Sequence, residues 1–253
     1  MPARGWSEPV RLNIVNPNTT LSMTEKIAAA ARAVAAPGTE IRAVSPAMGP
    51  VSIEGYYDEA FCVPGLLEEI ARAESEGFDG HVIACFDDPG LEAARQLARS
   101  PVVGIAEAAM HVATLVADSF TIVTTLARAI PRMEHLARKY GFARHCRKVR
   151  AAEFPVLALE EPGSPARDLL RAEIARAVAE DRCGAILLGC AGMADLNAAL
   201  EAEFGLPVID GVAAATKLVE ALVGLGLRTS RIGAFAPPLR KAYTGEFARF
   251  APR

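Results

Sequence analysis

The sequence predicts an α/β protein of two pseudo-symmetric lobes, each a parallel sheet flanked by helices, with the active site in the cleft between them. Three observations carry that prediction. Short, almost continuously apolar runs alternate with long Ala-rich amphipathic segments, the pattern of parallel strands buried beneath helices. The chain also answers itself at a nearly fixed interval: P-V-V-G-I-A-E-A-A (101–109) is echoed by P-V-I-D-G-V-A-A-A (207–215), and G-H-V-I-A-C (80–85) by A-I-L-L-G-C (185–190). A looser third pair, L-N-I-V-N-P-N-T-T (12–20) and F-T-I-V-T-T-L (120–126), completes the repeat.

Taken in order, the apolar runs place strands at 12–16, 40–44, 81–84, 102–105, 120–124, 148–151, 185–188, 208–209 and 231–234. Apolar spacing at intervals of three and four predicts helices over 24–35, 65–76, 91–99, 164–180, 195–203 and 211–224. The repeat divides the chain into a first lobe, 1–108, and a second, 109–217, with 218–253 packing back onto the first.

Composition narrows the function. The chain has 253 residues, 51% of them hydrophobic, and a net charge of −3, so it has the length for a large core and no long-range pull on nucleic acid or acidic membranes. No apolar run approaches the roughly 20 residues of a membrane span. The opening M-P-A-R-G-W-S-E-P lacks an apolar core, and a cytoplasmic protein is expected. The five cysteines, Cys62, Cys85, Cys146, Cys183 and Cys190, show no C-x-x-C spacing, and the four histidines are dispersed. Neither a disulfide framework nor a metal site is expected.

Ligands of open parallel sheets sit beyond the carboxyl ends of the strands. Each lobe places Asn or Thr at one such end (Asn16 and Asn18; Thr124 and Thr125) and a cysteine at another (Cys85; Cys190). If the lobes face each other, the two thiols approach one cleft from opposite sides. Such a pair suits inversion of a carbon acid, one thiolate removing a proton and the opposite thiol returning one. Both cysteines precede a helix, whose N-terminal amides favour a thiolate. Gly189 and Gly192 permit close backbone approach to a substrate.

Plainer roles stand beside these. A lone cysteine ending a strand is ordinarily a small buried hydrophobe, and Cys62, Cys146 and Cys183, unmatched in the repeat, are read that way. N-P-N-T-T reads equally as a turn whose Asn18 or Thr19 caps a helix. Asp87 and Asp88 read as turn and capping residues, and Thr124–Thr125 as a simple strand end. His81, His111, His135 and His145 show no ligand spacing.

N-P-N-T-T, A-V-S-P-A-M-G-P-V-S-I-E-G-Y-Y-D-E, V-I-A-C-F-D-D-P-G, P-V-V-G-I-A-E-A-A-M, I-V-T-T-L and L-L-G-C-A-G-M-A together resemble the hydantoin and allantoin racemases of the aspartate/glutamate racemase superfamily. The resemblance runs from about residue 12 to 247. It implies cofactor-independent racemisation of a 5-substituted hydantoin or another small cyclic ureide, with Cys85 and Cys190 as the two bases. It implies substrate contacts around Asn18, Ser45, Pro46, Phe86, Asp87, Thr124, Thr125, Ala191 and Gly192, several through backbone amides that steady an enolate-like oxygen. A homo-oligomer is expected, with no nucleic-acid or membrane partner. Asp87 departs from the resemblance: it stands where the family pattern C-Y-G-D-P-G or C-F-G-D-P-G keeps glycine, and a carboxylate there raises the neighbouring thiol's pKa. Apolar Phe86 and small Ala191–Gly192 also replace the polar C-N-T and C-T-H of the amino-acid racemases, which suits a neutral ring better than a zwitterion.

Two other classes remain open on the residues alone. A thiol hydrolase requires a histidine base near either cysteine, and none lies at a matching strand end. A non-catalytic two-lobed binding protein requires inert thiols.

Overall fold

The computed structural model describes residues 9–252; residues 1–8 of the N-terminal stretch considered above lie outside them. Strands and helices alternate as β1 (Arg11–Val15), α1 (Leu21–Val34), β2 (Glu40–Val44), α2 (Tyr56–Ser75), β3 (Gly80–Ile83), α3 (Leu91–Leu97), β4 (Val102–Gly104) and α4 (Ile105–Val116). The second half repeats the alternation: β5 (Phe120–Thr124), α5 (Ile130–Lys139), β6 (Cys146–Ala151), α6 (Ala166–Glu180), β7 (Ala185–Leu188), α7 (Asn197–Phe204), β8 (Val208–Ile209) and α8 (Gly211–Gly224). Two four-stranded sheets result, ordered β2-β1-β3-β4 and β6-β5-β7-β8, and every pairing is parallel. The repeat in sequence is therefore a repeat in topology. Central strands β1, β3, β5 and β7 are buried along nearly their whole length, as their apolar composition requires.

Two expectations need correction. Residues 231–234 form no strand; they lie in an exposed strap containing a short 3-10 turn at Gly233–Phe235. The strap's polar groups bind the end of α3 instead: Thr229 N donates to Arg99 O at 2.9 Å, and Arg231 Nη1 to Gln96 O and Ala98 O, both at 3.0 Å. A carbonyl on β4 that a further strand would need, that of Val102, already accepts from Arg95 Nε at 3.1 Å. Helix α2 also begins nine residues before the expected 65, running through Pro64. Proline there sacrifices one backbone hydrogen bond. Tertiary contact compensates: a β-carbon on Gly65 would lie 2.7 Å from Pro46 Cβ and 2.8 Å from Met48 O, so only glycine lets the helix sit this close to the loop after β2.

The last helix of each half crosses to the other. Helix α4, which follows the first sheet, packs on β7, β8 and α5; α8, which follows the second, packs on α1, β3 and β4. Gly80 of β3 accommodates that crossing, because a β-carbon there would come within 2.2 Å of Val219 Cγ1. The N-termini of α4 and α8 meet, with the Gly211 Cα so near Ile105 that an added β-carbon would lie 2.5 Å from its carbonyl oxygen. Gly211 and Ile105 are also partners in the sequence repeat. Equivalent residues that touch each other must lie on the axis relating the two halves. The boundaries expected at 108 and 217 consequently fall inside the crossing helices, and the largest apolar cluster draws residues from both sheets.

The helix caps show how the halves diverged. Asp210 precedes α8 and accepts from Val212 N at 3.1 Å and Ala213 N at 2.8 Å. The matching residue before α4 is Gly104. Asp88 supplies the missing carboxylate from the β3–α3 turn, accepting from Ala106 N at 3.0 Å and Glu107 N at 2.8 Å. A β-carbon on Gly104 would overlap the Asp88 carboxyl carbon at 2.2 Å. One cap site is filled in both halves, from two places in the chain.

Candidate active site

The carboxyl ends of both sheets open on one cleft of about 490 Å³, its mouth included. From the first half come Asn18, Cys85, Phe86 and Asp87; from the second come Thr124, Thr125, Cys190 and Ala191. Met23, Ile53, Met133 and Val156 supply apolar wall between them.

Each cysteine occupies the first turn beyond its strand and is partly buried. The amide of Asp87 hydrogen-bonds the Cys85 sulfur, and the amide of Gly192 that of Cys190. Both donors lie two residues after their cysteine, so the repeat builds one sulfur cradle twice. Burial nonetheless dominates. It pushes the Cys190 thiol from 9.0 up to about 11, with the Gly192 amide opposing and the Asp87 carboxylate adding to the rise. Cys85 is driven up as well, first by burial, then by the Asp87 charge and by Cys62. Cys190 adds a smaller rise to Cys85, and both residues line the same cleft.

Asn18 is positioned by the N-P-N-T-T turn. Its Oδ1 accepts from Asn16 Nδ2 at 2.9 Å and from Thr20 N at 2.9 Å, leaving its Nδ2 3.2 Å from Met23 Sδ in the cleft. The cap expected of Asn18 or Thr19 is not formed: the residue before α1 is Thr20, which makes no side-chain cap hydrogen bond, and Asn18 braces the turn instead. Thr124 Oγ1 donates to Gly189 O at 3.2 Å, tying the two strand ends of the second half together. Ser45 and Pro46 do not line the cleft. The Ser45 hydroxyl is held by Thr24 Oγ1 at 2.5 Å, and Pro46 packs against Gly65. Gly192 takes part through its amide alone. Of the other cysteines, Cys62 is buried, its Sγ 3.2 Å from Glu59 O, and Cys146 and Cys183 are partly buried away from the cleft.

Arg132 and Glu54 escaped the sequence reading. Arg132, on α5, reaches the opposite lobe and pairs its Nη2 with Asp87 Oδ2 at 2.9 Å; both side chains are only about 5% exposed. Glu54 Oε1 accepts from Val156 N at 2.9 Å, holding the loop before α2 against the second half. A third tie crosses near Cys190, where Lys26 Nζ meets Glu160 Oε1 at 2.6 Å and Gly192 O at 3.3 Å. Among the described residues no group of three or more His, Cys, Asp or Glu side chains could hold a metal, and no helix is long and apolar enough to cross a membrane.

Matched sheets, crossing helices and paired sulfur cradles define a two-lobed α/β protein with one shared cleft. A family model described as Asp/Glu/Hydantoin racemase matches residues 12–219, and the chain belongs to that family. It is 50% identical over 236 residues to a hydantoin racemase of Rhizobium meliloti, covering 93% of this chain and 98% of that one. It is 46% identical over 241 residues to a hydantoin racemase of Pseudomonas sp. (strain NS671), covering 95% and 97%. The structure of an allantoin racemase from Klebsiella pneumoniae superposes with a TM-score of 0.94 at 55% identity, covering 96% of this chain and all of that one. The protein is an isomerase of the racemase class.

Proposed function

We propose that the enzyme racemises 5-substituted hydantoins without a cofactor, using Cys85 and Cys190 as opposed acid and base. The relatives named hydantoin racemase support the ring. The carrying observation is the duplicated cradle: two sulfurs at equivalent strand ends open on one cleft, each receiving the amide two residues on. In this reading one thiolate removes the C5 proton, and the electron pair of the C–H bond delocalises into the ring carbonyl as an enolate. The opposite thiol then protonates the other face of C5, and its sulfur is left as the thiolate. Cleft amides and the Asn18 side chain steady the enolate oxygen as an oxyanion hole does.

The test uses each pure enantiomer of a 5-substituted hydantoin. Wild-type protein should abolish optical rotation. Because enantiomers are equal in energy, Cys85→Ser and Cys190→Ser must each lose racemisation in both directions. Each should still exchange the C5 proton with solvent for one enantiomer, and the two variants should favour opposite enantiomers. Full racemisation by either variant would defeat the two-thiol reading.

A further inference from the structure

Among the described residues that line the cleft, Arg132 alone carries positive charge; Glu54, Asp87 and the two cysteines are the groups able to carry negative charge. The proposed reaction holds a thiolate or an enolate in that cleft at every step. Asp87 acts on Cys85 in two opposite ways. Its backbone amide donates to the sulfur and favours the thiolate, while its carboxylate raises the thiol. In the second half Gly192 donates the same amide with no side chain to set against it. The cation near Gly192, Lys26, is already paired with Glu160 at 2.6 Å. Asp87 is compensated from the other lobe: Arg132, on α5, brings its Nη2 within 2.9 Å of Asp87 Oδ2. That carboxylate is its one ionic or hydrogen-bonding partner among the described residues, since Nε and Nη1 are buried with none. A guanidinium with two idle nitrogens is costly to bury. The Asp87 contact and the Tyr56 ring, 5.3 Å from the guanidinium carbon, are what hold it there.

We propose that Arg132 is a positioning residue for Cys85: by cancelling the Asp87 carboxylate across the lobe boundary, it leaves the Asp87 amide as that residue's net effect on the sulfur. The assignment rests on the two-thiol reading above and adds to it a third residue, one that serves Cys85 before Cys190. No other group facing this corner can take its place. Cys62 on α2 and Cys190 across the cleft face Cys85, and both add to its rise. Cys62 is itself pushed up to about 12, by burial first and then by Glu59 and Asp87. Glu59, also on α2, repels Asp87 and is drawn to Arg132 and Lys139. Lys139 is engaged by Glu92 at 2.5 Å. Without Arg132, the charges nearest Cys85 would be negative, and its thiolate would form less readily than that of Cys190.

The experiment alkylates the protein with iodoacetamide from neutral pH upward and resolves Cys85 from Cys190 by peptide mass spectrometry, which reads each thiolate without substrate. Buried carboxylates titrate up to about 9, below a thiol raised well above 9.0, so Asp87 is charged wherever Cys85 titrates. In Arg132→Met the Cys85 rate curve should move up by about one pH unit, the scale of one nearby opposite charge, and the Cys190 curve by less. Arg132→Lys should return most of that shift. So should Asp87→Asn/Arg132→Met, which removes the carboxylate together with its counter-ion. The rise of kcat/KM with pH for 5-benzylhydantoin should move in the same variants and the same direction. Equal shifts at both cysteines overturn the assignment. A double variant no better than Arg132→Met also overturns it, because Arg132 would then not act through Asp87. The expected alkylation shifts with racemisation unmoved would keep this role for Arg132 and remove the two-thiol reading beneath it. Should Arg132→Met not fold, Asp87→Asn decides: it should lower the Cys85 curve by more than the Cys190 curve, and equal movement overturns the assignment.

Discussion

The residue that most shapes the chemistry here is Asp87, because one side chain touches both the acidity of the thiols and the wall of the cleft. Burial is the main reason Cys190 sits near 11 and Cys85 is raised, and the Asp87 carboxylate adds to both. A thiol raised above its ordinary 9.0 is protonated through neutral pH, so the thiolate fraction, and with it kcat/KM, should climb by about tenfold per pH unit through neutrality. Removing the carboxylate lowers both thiols and leaves Arg132 to favour the thiolate further. Asp87→Asn, assayed on an alkyl hydantoin, should therefore shift this rise to lower pH. An unchanged or upward shift would mean that Asp87 does not act on the thiols. At this scale the repeat set Cys85 and Cys190 at matched positions, and both line the cleft. The sequence concealed Arg132. In I-P-R-M-E-H-L-A-R-K an arginine reads as part of a solvated helix face, and its partner lies 45 positions earlier, in the other lobe.

Helices and strands carry a second layer of evidence, in how they are capped and ended. The cap on α4 comes from Asp88, while α8 takes its own from Asp210, and Gly104 is small because Asp88 occupies the space its side chain would fill. Asp88→Ala should cost about 1–3 kcal/mol, since the buried Ala106 amide, the half-buried Glu107 amide and the Tyr140 hydroxyl, 2.8 Å from Asp88 Oδ2, lose their acceptor. Gly104→Asp alone should also destabilise, by collision with Asp88. Combined, they rebuild in the first half the cap found in the second, and thermal melting should show the double variant more stable than either single one. Strictly additive losses would deny that the two carboxylates share one site. Apolar runs gave the eight strands within 12–209 to within two residues, and the 211–224 helix in full. The misplaced elements have physical causes that lie outside their own sequence: the 231–234 run, apolar enough for a strand, spends its hydrogen bonds on α3, and α2 passes Pro64 because the loop after β2 packs against Gly65.

For the whole molecule the organising fact is the approximate twofold axis, which passes where Gly211 meets Ile105. It explains why the last helix of each half covers the other half, and why contacts from both halves close the cleft: Arg132 on Asp87, Lys26 beside Gly192 and Glu54 on Val156. In the proposed two-thiol reading, a carbon between the two sulfurs loses a proton to one and gains it from the other. The offset of the repeat made that arrangement legible before any coordinates. The asymmetry laid over it by Asp87 and Arg132 was not, because it depends on a contact between the lobes. Isotope exchange tests the central claim most directly. One enantiomer of a 5-substituted hydantoin is incubated with wild-type enzyme in deuterium oxide at neutral pH, and both enantiomers are recovered early in the reaction. Two opposed thiols predict deuterium at C5 of the newly formed enantiomer and retained protium in the remaining substrate. Equal deuterium in both enantiomers from the first turnovers would contradict the account, because it would place removal and return of the proton on a single group.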